Sequence, residues 1–283
     1  MRDPFSVRPL RSGSSGNLTL VEYAGTILLL DAGLPSQRGL AQALAESGVS
    51  WDDVDAVLVS HLHGDHIHHA AVASCARHGV PIFVHAKNVR PFTRRILSRI
   101  GSPGPVRVFD SEQFSVGNIG IRPFPVPHDA EGITCGFVLT GRRGDRDVRV
   151  AVATDLGHGG NGLFEEFVDS DLILIESNYD PGMLAASRRN DKARVDSDTG
   201  HLSNEQAGKF LARVMLGSRK VPGAVVLCHL SADHNTPARA VAAVREILAR
   251  YGFDGVAVHA ARRHAPSPRF LAVTDPDDRS GCR

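Results

Sequence analysis

The stretch HLHGDHIHH, residues 61–69, places five histidines and one aspartate within nine positions. It continues the apolar run at residues 54–60, whose composition is typical of a short buried β-strand. Side chains two positions apart at a strand end leave it on the same side, so His61 and His63 are predicted to converge on one cation. Gly64 then permits a sharp turn.

The second half of this stretch extends the predicted ligand set. Asp65 and His66 are expected to enter the first turn of the next helix, where the helix dipole favours an ionised carboxylate, and to serve a second cation. An ordered HxHxDH at a strand-to-helix junction favours metal binding, because divalent cations accept this mixture of nitrogen and oxygen ligands. His68 and His69 are expected to lie outside the ligand set.

Four protein ligands cannot complete two cations, so the rest of the chain must supply others. Three candidates each follow an apolar, strand-like run: His128 after IRPFPVP, Asp155 after VRVAVAT and His229 after AVVLC. Strand ends gather on one rim of a sandwich or open sheet, where ligands bind. Singly, each could equally be a cap or turn residue. Together with HLHGDH they predict a site for two divalent metal ions, Zn²⁺ first, with Mn²⁺ or Fe as alternatives.

Length and composition narrow the architecture and the cellular setting. The 283 residues suffice for one large domain, expected over residues 1–261, followed by an edge strand and tail over 262–283. The formal charge of +1 gives no global attraction to nucleic acid or membrane. The four cysteines are scattered, and no apolar stretch approaches the roughly 18 residues of a membrane span. A cytoplasmic protein without membrane association is expected.

The hydrophobic pattern predicts alternating strands and helices. The predicted strands are residues 18–23, 26–30, 56–60, 82–85, 119–125, 133–140, 148–154, 172–176, 224–229 and 255–259. The predicted helices are residues 37–47, 69–78, 88–100, 204–216 and 237–251. Hairpin turns are expected at 22–25 and 141–145, so the sheets should not be purely parallel. Two stacked mixed sheets with outer helices, a four-layer αββα sandwich, would cover these strands.

The order of these motifs resembles the metallo-β-lactamase superfamily over almost the full chain. Six further phrases are similar to its YycJ/WalJ-like branch, which is related to ribonuclease Z. They are SGSSGN (12–17), PHDA (127–130), TDLG (154–157), IESNYD (175–180), GHLSNEQA (200–207) and CHLS (228–231). The resemblance implies the metallo-β-lactamase fold and a metal-dependent phosphodiesterase, a DNA exonuclease.

The resemblance also implies a ligand assignment. One metal would be held by His61, His63 and His128, the other by Asp65, His66 and His229, with Asp155 bridging. Asp31, in TILLLDAG, matches the superfamily's first motif and is expected to hydrogen-bond the histidine-rich loop rather than bind metal. An aspartate instead of a cysteine at position 155 weighs against antibiotic hydrolysis. Gly64 and His69 depart from the branch pattern, which bears on helix packing and not on the ligands.

The expected chemistry is attack by a metal-bridging hydroxide. Two cations that share a water lower its pKa toward about 7 and stabilise both oxygens of an in-line displacement. Asp65 and His201 are candidate catalytic residues, the latter as proton donor by resemblance to ribonuclease Z and by general-acid logic. Glu176 would orient His201, although a purely structural carboxylate fits as well. Ser203 and Gln206 also predict a helix capping box, which is compatible with this role.

Substrate signals are weaker. Two basic stretches could contact a phosphate backbone or simply be solvated faces. They comprise Lys87, Arg90, Arg94, Arg95 and Arg99, and then Arg188, Arg189, Lys192 and Arg194. With no separate clamp domain, a DNA exonuclease is preferred over a dedicated tRNA processor. The alternatives are a glyoxalase-like thioesterase or lactonase, because the same metals can attack a carbonyl carbon, and a non-catalytic binding module, which the full ligand set disfavours.

Overall fold

The computed structural model describes residues 4–96, 98, 100, 104–143, 146–158 and 162–272. These residues form two compact units, each with its own hydrophobic cluster. The first unit comprises the chain up to Pro123 with Ala130–Cys135 and Arg262–Arg269. The second comprises Phe124–Asp129, Gly136–Ala261 and the chain from Phe270. The expected division into one domain and a tail at residue 262 stays a prediction, and residues 273–283 of that tail lie outside the described residues.

The described strands form two seven-stranded mixed sheets. The first has the order β14 (Phe270–Leu271), β1 (Ser6–Arg11), β2 (Leu18–Tyr23), β3 (Thr26–Leu30), β4 (Ala56–Leu58), β5 (Ile82–His85) and β6 (Val106–Phe109). The second has the order β13 (Ala257–Ala260), β12 (Ala224–Cys228), β11 (Leu172–Glu176), β10 (Arg146–Ala153), β9 (Thr134–Arg143), β8 (Ile119–Val126) and β7 (Phe114–Val116). Each sheet contains parallel and antiparallel pairs, as the hairpin signals predict.

Both predicted hairpins are present. Strands β2 and β3 pair through Tyr23 and Thr26, and the two residues between them, Ala24 and Gly25, have φ values of 47° and 80°. Positive φ at both positions is the signature of a type I′ turn, whose twist matches that of the flanking strands. Strands β9 and β10 form the second hairpin, with Arg146 opposite Arg143.

Among its described residues, the first unit carries three α-helices, α1 (Gln37–Ala45), α2 (His69–His78) and α3 (Val89–Arg95). The side chain of Ser36 caps α1 by accepting a hydrogen bond from the Gly39 N–H. This helix buries Leu40 and Leu44 in the hydrophobic cluster of the unit and packs on α2. Spacing of four residues places both leucines on one helix face, which explains why this face is the buried one.

The part of the second unit that the structure describes carries five α-helices. They are α4 (Phe164–Phe167), α5 (Pro181–Ala186), α6 (Lys192–Val195), α7 (Asn204–Gly217) and α8 (Pro237–Arg250). Helices α7 and α8 pack on each other, and α8 also contacts β13. Strands β10 to β13 run parallel, so their carboxyl ends meet at one edge of the sheet. Among the described helices, none combines the length and apolar character needed to cross a membrane.

Four strands and one helix have the predicted bounds, namely β2, β3, β5, β11 and α2. Strands β1, β6 and β7 were not predicted, because their patterns are broken by Pro9 and by exposed residues such as Arg107 and Val108. The pairing partners in the sheet impose the extended conformation that the local pattern does not require. The helix predicted over 88–100 is shorter, since α3 ends at Arg95.

The prediction that Asp65 and His66 enter the first turn of a helix is wrong. Helix α2 begins at His69. His68 is its N-cap, and the Nδ1 atom of His68 accepts a hydrogen bond from the Ala70 N–H at 3.3 Å. His68 therefore stabilises the helix start.

Lateral pairing explains the later start of the helix. The His66 N–H donates to the His63 carbonyl at 3.0 Å, which closes a turn. The Ala32 N–H donates to the His66 carbonyl at 2.7 Å, and Ala32 forms a β-bridge with Ile67. Because the His66 carbonyl and the His68 N–H bond to Ala32, two residues after β3, these two groups do not take part in helical hydrogen bonds.

Candidate metal centre

Asp31 anchors the histidine-rich loop of the first unit. It follows β3, and Ser60 follows the neighbouring parallel strand β4, so both lie at the same edge of the sheet. Asp31 accepts hydrogen bonds from the Ser60 N–H and hydroxyl, each at 2.8 Å, and from His66 Nδ1 at 2.7 Å. Asp31 has a φ of 59°, a conformation that costs free energy in a non-glycine residue and often marks functional sites. The expected contacts between Asp31 and the loop are present.

These contacts decide which nitrogen atoms can bind a metal. Because a carboxylate accepts from His66 Nδ1, that atom carries the proton and Nε2 keeps a lone pair. The Ser60 hydroxyl donates its proton to Asp31, so its oxygen accepts from His61 Nδ1, which lies 3.0 Å away. Nδ1 of His61 then carries the proton and Nε2 carries the lone pair. His61 Nε2 is 3.1 Å from His63 Nδ1. Two nitrogens bound to one tetrahedral Zn²⁺ are about 3.3 Å apart, so this pair has the spacing of a shared cation.

Asn17 and Gly33 hold the turn that carries Asp65 and His66. The backbone N–H and the Nδ2 atom of Asn17 donate to the Asp65 carbonyl at 2.7 and 3.1 Å. Asn17 Nδ2 also lies 2.9 Å from His66 Nε2, while Asp65 Oδ2 lies 3.7 Å from the same nitrogen. A Cβ atom on Gly33 would lie 1.8 Å from the Asp65 carbonyl oxygen, so only glycine fits there.

Asn17 ends the phrase SGSSGN and is a site residue that was not predicted from the sequence. The relevant signal is an asparagine after a glycine-rich turn, a residue type that often bonds backbone groups. Its partner lies 48 residues further along the chain, and nothing local identifies it.

In the second unit, Asp155, Glu176 and His229 follow or end three adjacent parallel strands, β10, β11 and β12. All three are almost fully buried. His229 Nδ1 lies 2.8 Å from Asp155 Oδ1 and 2.9 Å from Glu176 Oε1, so it carries the proton and leaves Nε2 for a metal. His229 has a φ of 53°, and Asn178 Nδ2 donates to its carbonyl at 2.8 Å, which holds this unusual backbone conformation.

His201 lies against the same carboxylates. Its Nδ1 atom is 2.8 Å from Glu176 Oε1 and 3.3 Å from Asp155 Oδ1. The other oxygen of Glu176 accepts from the N–H groups of Leu156 and Leu202 at 3.0 and 3.1 Å. Burial lowers the pKa of His201, but the charges of Glu176 and Asp155 outweigh it and raise the pKa to about 10. In the metal-free protein His201 is therefore protonated on both nitrogens at neutral pH.

His128 is positioned by the loop that carries His201. Its Nδ1 atom donates to the Gly200 carbonyl at 3.1 Å, so Nε2 again keeps the lone pair. The ring centroids of His128 and His201 are 5.4 Å apart. The predicted capping box of Ser203 and Gln206 is present at the start of α7, and it fixes the end of this loop.

The donor atoms of both units fit divalent cations. In the second unit, Asp155, Glu176, His201 and His229 offer ligand atoms that all lie within 4.8 Å of one another. In the first unit, His61, His63, Asp65 and His66 lie together on one loop. Burying carboxylates and imidazoles is costly unless they are paired or coordinate metal, and Zn²⁺, Mn²⁺ and Fe accept both ligand types.

The two basic stretches differ in their environment. In the second stretch, Arg194 binds Asp129 with two hydrogen bonds, Arg189 pairs with Asp233, and Lys192 donates to a backbone carbonyl. In the first stretch, Arg94 and Arg95 both face one carboxylate, Glu131. Arg99 lies outside the described residues. In the first stretch, two guanidinium charges thus face a single carboxylate charge.

Comparison with known proteins gives one matching family model and two relatives that match over most of the chain. Residues 26–230 match the model of the Beta-lactamase superfamily domain. The chain is 32% identical over 235 residues to Exodeoxyribonuclease WalJ of Streptococcus pneumoniae, which covers 82% of this chain and 83% of that protein. It is 31% identical over 258 residues to Exodeoxyribonuclease YycJ of Bacillus anthracis, covering 88% and 90%.

Among solved structures, the metallo-β-lactamase fold protein YhfI from Bacillus subtilis aligns with a TM-score of 0.68. The alignment covers 94% of this chain and 99% of YhfI at 17% identity. At this identity the likeness concerns the fold alone. It confirms the predicted metallo-β-lactamase fold.

Proposed function

Because this chain belongs to the beta-lactamase superfamily, in the family of WalJ and YycJ, we propose that it is a dinuclear metal-dependent exonuclease that acts on DNA. Family membership makes it a metal-dependent hydrolase. The finer activity is supported by relatives named as exodeoxyribonucleases that match over more than four fifths of the chain.

The proposed ligands follow the order of the family motifs. One ion would be held by His61, His63 and His128, the other by Asp65, His66 and His229, and Asp155 would be shared by both. One observation carries this assignment: in four of the five histidines the protein already engages Nδ1. The four are His61, His66, His128 and His229. Nε2 then carries the lone pair that a cation would take, in His66 in place of the Asn17 amide 2.9 Å away, and holding Nδ1 is how proteins orient metal-binding imidazoles.

Bound at these residues, two divalent ions would lower the pKa of water and stabilise negative charge on the phosphodiester oxygens. The chain's own contribution is orientation and proton transfer. Asp65, whose Oδ2 lies 3.7 Å from His66 Nε2, would orient the attacking water by a hydrogen bond. Asp155, buried between the imidazoles of His201 and His229, supplies fixed negative charge that favours cation binding.

His201 is the proposed proton donor to the leaving oxygen. Its Nδ1 proton is held by Glu176, which fixes the ring orientation, and its Nε2 proton is the one to transfer. The leaving group of a nucleic-acid phosphodiester is a sugar alkoxide, which is too basic to depart without protonation. An imidazole whose Nδ1 proton is held by a buried carboxylate can supply this proton from Nε2.

In the direct experiment, purified protein is incubated with single- and double-stranded DNA and RNA labelled at either end. Separate reactions contain Zn²⁺, Mn²⁺ or Fe²⁺. We expect mononucleotides to be released from DNA. Asp155→Ala should abolish this release while the circular dichroism spectrum stays that of the folded protein, because the bridging carboxylate is lost. Asp254→Ala, at an exposed position, is the matched control and should retain activity.

Three outcomes would contradict the proposal. Intact DNA with every metal would reject a nuclease, and internal fragments without mononucleotides would reject an exonuclease. Retained cleavage by Asp155→Ala would reject the ligand assignment.

A further inference from the structure

A cavity of about 380 Å³ lies beside the metal-ligand loop, within the first unit. One wall is formed by Gly64, which separates His63 from Asp65, and by His68 and His69. The volume is in the range of sites for small molecules or parts of larger ones. An occupant of this cavity would touch the loop that carries the proposed metal ligands.

The lining of this cavity also carries positive charge. It contains Arg94 and Arg95 from the end of α3. Their ion pairs are with Glu131, at 2.5 and 3.9 Å, and all three side chains are 43–68% exposed. Exposed ion pairs contribute little, so an incoming dianion can displace Glu131 at small cost. Two guanidinium groups against one carboxylate leave the cavity with net positive charge.

The backbone next to Glu131 is held by contacts that do not involve the arginines. Asn88, which is fully buried, exchanges two hydrogen bonds of 2.8 Å with the backbone of Ile133. Gly132 between them has a φ of 91°, a conformation that favours glycine. The backbone that carries Glu131 is therefore held near Arg94, and the exposed carboxylate competes with an incoming anion for the two arginines.

His68 also lines the cavity. Its Nδ1 accepts the Ala70 N–H as helix cap, so in the neutral ring the proton is on Nε2. Its ring lies 3.8 Å from that of His69, between centroids. Guanidinium groups and an imidazole N–H are the donors that proteins use for phosphate oxygens.

We infer that this cavity binds a phosphate group of the nucleic acid other than the one that is cleaved. This inference rests on the proposed function and adds a second contact between the protein and its substrate. The bound phosphate is either a terminal one or an internal one of the strand. Its role is binding and not chemistry, since the arginines are not among the proposed metal ligands.

The test compares the wild type with the double variant Arg94→Gln/Arg95→Gln. We expect the KM for labelled DNA to rise about tenfold with kcat little changed, because charged hydrogen bonds to one phosphate are lost. The slope of log binding constant against log salt should fall by about one. Hydrolysis of bis-p-nitrophenyl phosphate, which has no second phosphate, should not change. Arg250→Gln, at another exposed arginine paired with a glutamate, is the matched control and should leave KM unchanged.

A second variant, expected to bind DNA more tightly, distinguishes the loss of a contact from misfolding. Glu131→Gln removes the competing carboxylate, and we expect about two- to fivefold tighter DNA binding by fluorescence anisotropy. A comparison of DNA that has phosphorylated ends with DNA that has hydroxyl ends distinguishes the two sources of phosphate. A defect of the double variant confined to phosphorylated ends indicates a terminal phosphate, and an equal defect on both indicates an internal one.

Unchanged KM and salt dependence in the double variant, with active wild type, would overturn this inference and leave the proposed function standing. A rise in KM together with slower hydrolysis of bis-p-nitrophenyl phosphate would overturn it too, because the arginines would then support the metal centre itself. Wild type that neither binds nor cleaves nucleic acid would instead reject the proposed function, and this inference with it.

Discussion

At the scale of single residues, the histidines of the site differ in what holds them. His61 and His66 are held at Nδ1 by Ser60 and Asp31, and His128 by a backbone carbonyl. His201 faces two carboxylates, and the pKa of about 10 that results keeps it charged in the metal-free protein. The first three are suited to donate a lone pair to a cation, whereas His201 is suited to donate a proton.

This difference predicts how His201→Ala depends on the leaving group. Cleavage of DNA should fall by about 10²-fold or more, because the sugar oxygen then leaves without a proton. Hydrolysis of bis-p-nitrophenyl phosphate should fall much less, since p-nitrophenolate is a stable anion. The kcat/KM values for both substrates, measured in the same metal buffer, give the comparison. Equal losses on both substrates would exclude a proton-donor role and point to damaged metal binding.

At the scale of elements, the site depends on how strand ends and turns meet within each unit. Helix α2 begins only at His69, so the ligand turn before it is stabilised by Asn17, Gly33 and the pairing of Ala32 with Ile67. This arrangement replaces helical hydrogen bonds with contacts to a different part of the chain. The geometry of Asp65 and His66 is therefore sensitive to small changes at those contacts.

Gly33→Ala is predicted to damage the ligand turn. The added methyl group would overlap the Asp65 carbonyl oxygen, and backbone atoms cannot move aside as a flexible side chain can. We expect bound metal after dialysis, measured by inductively coupled plasma mass spectrometry, to fall below that of the wild type. Gly255→Ala, where an added Cβ atom meets nothing within 4 Å, is the matched control. Full metal content in Gly33→Ala would show that the turn does not require this close approach.

At the scale of the whole molecule, metal binding should be linked to folding. The unfolded chain does not hold Asp155, Glu176 and His229 together, so a cation that binds this cluster stabilises the folded state by mass action. At a free metal concentration 100 times the Kd, one site contributes about 2.7 kcal/mol.

Removal of metal is therefore expected to lower the thermal stability of the protein. With EDTA, the Tm should fall by about 5–10 °C from its value in excess Zn²⁺ or Mn²⁺. In Asp155→Ala the difference between the two buffers should be much smaller, because the proposed bridging ligand is absent. Differential scanning fluorimetry in matched buffers measures both shifts. Identical Tm values with and without metal in the wild type would argue against a metal centre built from these residues.

The sequence by itself determined the fold class and the candidate residues of the site. Polar residues that follow apolar runs, such as His61, Asp155 and His229, can be found from local periodicity, because strand ends are a property of a few neighbouring residues. The motif order adds the family, which the comparisons show.

Only the tertiary structure decided how those residues are presented. Asp31 and His66 are 35 positions apart, and Glu176 and His229 are 53 apart, yet these contacts select the nitrogen that faces a cation. The start of α2, the role of Asn17 and the cavity beside Arg94 likewise depend on partners remote in the chain. Hydrogen bonds between distant segments form only once the sheets bring strand ends together, so no local pattern encodes them.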